Sequence, residues 1–323
     1  MLTGGGEYKM FVYIVKRVLK SIPVLLIVIF ISFLVTHIMP GDPVKLVLGD
    51  HASKEQILIL QQKLNLDKPI WEQFFIWFAG LLRGDLGNYL FGNASVADTI
   101  KSRIEPTFIL ALIGQIIGMV IGISTGIIAA LNHGKLIDKI SIAISLVGIS
   151  APSFWVAIML INFFAVKLGW FPVCGYRPIN EVGLFKSLQY LILPGITIGL
   201  MQCGQIARMT RSAMLDVLKQ DYLRTARAKG LKESTIVVKH ALRNAILPII
   251  TVSGFSLAVL LGGTWIVETI FSIPGTGSMA ITAIMRRDYP LIQGAMIFIA
   301  TIYIVINLLV DILYTILNPK VRY

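Results

Sequence analysis

Six stretches of this chain run on without a single Asp, Glu, Lys or Arg: 21–41, 106–134, 140–166, 187–207, 244–267 and 289–310. Each reaches the ~20 residues that a helix needs to cross a hydrocarbon core. Lipid offers no partner to a free backbone N–H or C=O, and these stretches lack the alternating period of a barrel strand, so the spans must be helices. The chain therefore reads as an all-α polytopic membrane protein with six transmembrane helices. A hydrophobic content of 56% against 14% charged residues excludes an ordinary soluble domain. A seventh uncharged run, 269–285, is interrupted by Ser272, Pro274, Gly275, Thr276 and Gly277. That is turn chemistry, which places it outside the membrane or as a short re-entrant piece.

The net charge of +12 follows the topology rather than a nucleic-acid partner, because the basic residues fall between apolar spans without stacking aromatics or a DNA-reading motif. Lys9, Lys16, Arg17 and Lys20, the short link with Lys135 and Lys139, the link 208–243, and Lys320 with Arg322 all fall on one side, which is read as cytoplasmic. Segment 42–103 balances seven basic with seven acidic residues, as an exported segment can. The expected organisation is a cytoplasmic N-terminus at 1–20, a first helix at 21–41, an extracytoplasmic cap at 42–105 and a core at 106–323. Both termini are expected inside. The first apolar run has no small-residue cleavage site after it and reads as a retained helix rather than a signal peptide. The leading MLTGGGEYK before Met10 reads as unrelated to the fold. In the cap, 55–64 has helical apolar spacing, and Trp71, Phe74, Phe75, Trp77 and Phe78 cluster too briefly to span. Contact with lipid headgroups and contact with a partner both fit those aromatics.

The densest positive run is "DYLRTARAKGLKESTIVVKHALRN" at 221–244, within a link that holds nine basic residues against three acids from 208 to 243. Insertion scales put a cation at the bilayer centre at roughly 2.5 to 3.5 kcal/mol, so this link must lie outside the hydrocarbon. Asp221 is expected to cap a short helix over 222–229, with Arg227 and Lys229 at its negative end and Gly230 as the left-handed closing residue. Ser234 is expected to cap a second helix running through Val237, Val238, Ala241 and Leu242 toward Pro248. Ala226, Ala228 and Gly230 present little side chain, so another protein's backbone could approach, while Arg224, Arg227 and Lys229 could pair with acids around such a groove. A solvated basic helix that enforces topology or meets anionic lipid is the other reading.

In order and over nearly the full length, "PGDP", "DYLRTARAKGL", "KHALRNAILP", "ETIFSIPGTG", "RRDYPLIQG" and "LLVDILYTILNP" resemble the first permease subunit of dipeptide, oligopeptide, glutathione and nickel ABC importers. The resemblance implies the type I importer permease fold, and a coupling helix at Arg224, Thr225, Ala226, Arg227, Ala228, Lys229 and Gly230, with Ile246, Leu247 and Pro248 downstream. The broad importer signature begins Glu-Ala-Ala and has a shorter distance from Gly to Leu-Pro; the departures here are those of the peptide branch, and no acidic contact is available at Arg224. The implied partners are a second, homologous permease, two ATPase subunits, an extracytoplasmic solute-binding protein and the lipid bilayer, in the inner membrane of a bacterium. ATP and Mg are expected on the ATPase subunits. This chain has no G-x-x-x-x-G-K-[ST] loop, Gly134 and Lys135 lacking both the earlier Gly and the following Ser or Thr. Short peptides are the favoured cargo, with glutathione and nickel as alternatives in the same class.

Gln115, Asn162, Gln202, Gln205 and Asn307 place polar groups inside apolar spans. They either line a wet path or hydrogen-bond between helices. Gln202 and Gln205 share a helix face and are the first choices for a translocation path, with Gln115 and Asn162 behind them. Glu268 and Asp311 sit at span ends, where water or a neighbouring subunit explains their charge. Cys174 and Cys203 have no metal spacing, and His37, His51, His133 and His240 are scattered, so neither a metal site nor a catalytic group is assigned. An ion-coupled secondary transporter would carry ionisable residues deep in several spans, and an intramembrane enzyme would need a nucleophile and base there.

Overall fold

The computed structural model describes residues 4–39, 43–49, 52–90 and 94–317. In chain order its helices are α1 (Gly4–Ile38), α2 (Pro43–Leu48), α3 (Lys54–Lys63), α4 (Ile70–Leu82), α5 (Val96–Leu131), α6 (Leu136–Ser150), α7 (Ser153–Leu160), α8 (Ile179–Val182), α9 (Leu184–Leu218), α10 (Asp221–Ala228), α11 (Glu233–Thr235), α12 (Arg243–Leu261), α13 (Trp265–Ile270), α14 (Thr276–Arg286) and α15 (Tyr289–Leu317). Wider π turns at Ile161–Lys167 and Ile236–Leu242 prolong α7 and join α11 to α12. Five stretches, Ile14–Ile38, Val96–Leu131, Leu184–Leu218, Glu233–Leu261 and Tyr289–Leu313, are long and apolar enough to cross a membrane. The pair α6 and α7 brings the number to six if it is one span.

Several boundaries differ from the sequence reading. The helix expected over 140–166 is broken, and its halves meet at 98°. Pro152 explains the break: its ring excludes the α conformation from the residue before it, and Ala151 is extended at φ −67, ψ 129. The second span begins at Val96 rather than at 106, because Ser95 caps it by accepting the Asp98 N–H at 3.4 Å. Residues 4–9 of the leading segment continue α1, which begins at Gly4. The turn-rich stretch 269–285 is packed into the protein. It contains the end of α13, a tight turn and α14, with Phe271, Ile273, Met279 and Ala283 all buried. The "PGD" of the first turn signal, His51 and the basic residues Lys320 and Arg322 lie outside the described residues.

The most extensive helix contact is between α5 and α9. Gly114, Gly118, Gly122 and Gly126 recur every four residues along one edge of α5, and Ile198, Gln202, Ile206 and Thr210 recur with the same step along α9. A Cβ at those four glycines would lie 2.6, 3.2, 2.8 and 2.6 Å, respectively, from those four side chains. The reverse face interlocks as well: Ile113 and Ile117 fill the places where Gly195 and Gly199 have no side chain. Each missing side chain lets the helix axes approach, which matters in lipid because apolar side chains gain little by leaving acyl chains for one another.

Two acids that the sequence left at exposed ends have partners within the chain. Glu268 is fully buried; its Oε1 accepts from the Thr107 hydroxyl at 3.0 Å and its Oε2 from the Ser278 N–H at 2.7 Å. It therefore holds the first turn of α14, whose N–H groups have no partners within the helix. Its carboxylate occupies the place of a side chain at Gly275, which accounts for that glycine in "ETIFSIPGTG". Gly263, at φ +118, makes the preceding bend, where its Cα packs on Gly277. Asp311 pairs with Arg17 of the same chain, so α1 and α15 are joined without a second subunit. Asp288 is likewise buried and caps α15, accepting from Leu291 N–H at 3.3 Å and from Leu90 N–H at 3.1 Å. In the cap, α4 lays Phe74 against Phe30 and Phe33 of α1, at ring separations of 5.6 and 5.3 Å. Trp71 and Phe75 stay exposed on its other side.

Replacing Gly122 by Leu puts a side chain into Ile206 and the Cys203 carbonyl. Overpacking of this kind costs about 1–3 kcal/mol, and thermal unfolding in detergent is expected to show a lower midpoint for Gly122→Leu than for Val120→Leu on the exposed face of the same helix, judged against wild type. Equal midpoints would show that α5 and α9 do not need this approach.

Candidate functional site

The basic link folds into a small platform at one end of the bundle. α10 begins at Asp221, but the cap position belongs to Gln220, whose side chain makes no capping bond; Asp221 instead occupies the first turn, where a carboxylate meets the positive end of the helix. The far end closes as expected. Gly230 has φ +76, its N–H donates to Arg227 O at 2.9 Å, and Leu231 N–H donates to Ala226 O at 3.3 Å. This pair of bonds is the Schellman arrangement, which satisfies carbonyls the helix leaves open. Ser234 is not a cap. The second helix starts at Glu233 and passes without interruption through the Ile236–Leu242 π turn into α12, so the fifth span and the link are one rod.

The two faces of α10 differ. Leu223 is fully buried and Ala226 half-buried against a cluster of Met214, Ile236, Val237 and Ala241. Arg224, Thr225, Arg227, Ala228, Lys229 and Gly230 are exposed. Ala226 is half-buried on the inner side, where i and i+3 place it beside Leu223. Arg227 is held at home, donating to Glu233 at 2.8 and 3.2 Å, and that carboxylate raises the guanidinium pKa further. Among the described residues Arg224 pairs with Asp221 at 3.6 Å, with 83% of its side chain exposed. Asn244 of α12 donates to the Tyr222 hydroxyl at 2.7 Å, tying α10 to the rod behind it.

A second fastening lies where α6 meets the same end of α9. Arg211 donates to both carboxylate oxygens of Asp138, Nε to Oδ1 at 2.6 Å and NH2 to Oδ2 at 2.8 Å, and Gly134 N–H donates to Oδ2 at 2.9 Å. The Asp138 side chain is 4% exposed, so a planar two-point pair carries this junction. Arg211 is consumed by it and is no part of the outward charge.

Toward the middle of α9, a cleft of about 450 Å³ opens against α12 and α13. Its polar lining comes from Ser153, Gln202, Gln205, Ser256 and Thr264. Gln202 and Gln205 are therefore brought together, as their shared helix face suggested. Gln115 and Asn162 are not among the lining residues. Gln115 is buried with neither amide atom hydrogen-bonded inside the chain, and Asn162 is exposed in the π turn after α7. Ser153, Ser256 and Thr264 were missed by the sequence reading, since a hydroxyl inside an apolar run gives no signal of the direction it faces.

Comparison with known proteins follows this geometry. The family described as "Binding-protein-dependent transport system inner membrane component" matches residues 118–323, and the companion N-terminal component of the same transport systems matches residues 10–111. A Brucella abortus (strain 2308) protein named as a peptide transport system permease is 43% identical over 310 residues, covering 96% of this chain and 98% of its own length. The glutathione transport system permease protein GsiC of Escherichia coli (strain K12) is 40% identical over 311 residues, covering 96% and 99%. Among solved structures, a chain of the inward-facing MetNI methionine ABC transporter superposes with a TM-score of 0.55 at 18% identity, covering 68% of this chain and 96% of its own. That likeness establishes the fold.

The inward position of Ala226 separates packing from surface. Ala226→Trp is expected to destabilise the chain by about 1–3 kcal/mol through overpacking, whereas Ala228→Trp, whose side chain enters solvent, is expected to leave the unfolding midpoint within error of wild type. Circular dichroism melts of the two purified variants distinguish these outcomes.

Proposed function

This chain belongs to the binding-protein-dependent transport system inner membrane components, multi-pass proteins of the bacterial inner membrane, and from that premise we propose that it is one permease subunit of an ATP-driven importer of short peptides. The observation that carries the reading is α10. It is a helix closed by Gly230 at its C-terminal end, with an exposed outer face, packed through Leu223 on the end of α9 and followed directly by the 233–261 rod that contains the fifth span. A helix so mounted transmits displacement, where a loose loop would absorb it.

In this reading the basic link faces the cytoplasm and both termini lie on that side. α10 sits in a groove of one of two ATPase subunits, which bind ATP and Mg. A second, homologous permease completes the membrane part, and an extracytoplasmic binding protein delivers cargo. ATP-driven closure of the ATPase pair pushes α10; α9 and the rod move with it, and the path between the two permeases opens alternately to each side. Differential contact of α10 in the two states is what shifts the equilibrium. Arg224, Thr225, Ala228, Lys229 and Gly230 form the contacting face, while Leu223 and Ala226 hold the helix to its own chain. Peptide cargo is supported by the names of the relatives, one for peptides and one for glutathione, itself a tripeptide.

The test is the complete importer in proteoliposomes with its binding protein outside. Ala228→Trp and Gly230→Pro are expected to reduce both peptide uptake and binding-protein-stimulated ATP hydrolysis by roughly tenfold or more, in line with ~1.4 kcal/mol per decade, while the purified chain keeps its helical circular dichroism. Normal uptake with Trp at 228 would place the dock elsewhere. Identifying the ligand that the cognate binding protein retains decides between dipeptides, longer peptides and glutathione.

A further inference from the structure

We propose that the cleft between α9 and the α12–α13 bend is a cargo subsite that takes a peptide group with an apolar side chain and disfavours cargo carrying a charged one. The proposal rests on the import function above and gives this chain a share of the selectivity otherwise assigned to the binding protein.

The volume, about 450 Å³, lies within the ~300–1,000 Å³ of ordinary small-molecule pockets. Among the described residues its lining holds no Asp, Glu, Lys, Arg or His. The nearest carboxylate in sequence, Glu268, follows the lining residue Val267 but is turned away to Thr107 and the Ser278 N–H. A charged side chain entering the cleft would therefore lose water without meeting a counter-charge. Phe255 and Trp265, half-exposed on the walls, offer apolar surface instead.

Gln202 and Gln205 supply the polar recognition. A primary amide carries both donors and an acceptor, so two of them one turn apart match the N–H and C=O of a peptide group. Gln202 Oε1 is buried and has no hydrogen-bond partner in the chain, an acceptor left for something else to satisfy. The Cβ of the same side chain lies over the missing side chain of Gly118, where an added Cβ would come within 3.2 Å, so the close approach of α5 and α9 sets where the side chain starts.

The experiment uses the whole reconstituted importer with one binding protein throughout, so that its own preferences cancel between variants. Uptake of Ala-Phe, Ala-Lys and Ala-Glu is measured for wild type, Gln205→Glu and Gln205→Lys. The wild type should favour Ala-Phe. Gln205→Glu is expected to raise the Ala-Lys to Ala-Glu ratio roughly tenfold, and Gln205→Lys to lower it by a similar factor. Wild-type ratios in both variants overturn the subsite while leaving the importer intact; no uptake of any peptide by wild type instead overturns the import function. Should the charged variants fail to assemble, Gln205→Cys in a Cys174→Ser, Cys203→Ser background is treated with a maleimide in the assembled complex. Protection by Ala-Phe sustains the proposal. Absence of protection, or shielding by assembly alone as at a seam with the second permease, overturns it.

Discussion

The interlock of α5 with α9 sets the distance from which everything else in the bundle is measured. In lipid, two helices gain little from removing apolar side chains from acyl tails, so their association depends on how closely the backbones approach. Gly114, Gly118, Gly122 and Gly126 give α5 a row of notches, and Ile198, Gln202, Ile206 and Thr210 of α9 occupy them in step. Because both rows repeat every four residues, one register seats all four pairs, and a slip of less than a full step unseats them together. α9 is thereby positioned along much of its length. Midway it presents Gln202 and Gln205 to the cleft, further on it supplies Arg211 to Asp138, and at its end Met214 forms part of the seat under α10. Cleft and platform are both built partly on this one helix.

Around this pair, the bends are held by charges that have partners. Glu268 fixes the start of α14, Asp288 the start of α15 and Asp138 the junction of α6 with α9. A buried carboxylate is destabilising unless donors surround it, and each of these is met by backbone N–H groups, with a hydroxyl added at Glu268 and a guanidinium at Asp138. The spans themselves carry almost no charge. Rigidity is therefore concentrated where the chain changes direction, and the long helices between those points can move as rods.

Proline and glycine show where sequence reading succeeds and where it stops. Gly230 closes α10 as its position suggested, since a left-handed residue after a short basic helix has few other uses. Pro152 broke a span that looked continuous: the absence of charge over 140–166 measures hydrophobic length but is blind to a 98° bend inside it. In the run 269–285 the turn chemistry is real but its burial gives no sequence signal. Its Ser, Pro and Gly residues do make a turn, yet the turn is buried, because Glu268 and Thr107 satisfy its polar groups from within. Ala226 and Ala228 differ in a way that composition does not show. Small residues at 226 and 228 look equivalent in a list, but a helix rotates ~100° per residue, and only the neighbour under Leu223 is drawn inward.

What the sequence determined alone was the existence and approximate extent of the spans, the helical nature of the link and its closing glycine, and the pairing of Gln202 with Gln205 on one face. These follow from charge, from hydrogen-bond saturation in lipid and from helical periodicity, all of which act within a single segment. Tertiary structure decided which face of α10 is outward, which acids are interior caps, how the third span bends, and that a cleft forms beside Gln202. Each of those depends on atoms far apart along the chain coming into contact, and such contacts exist only once α5 and α9 have closed on one another.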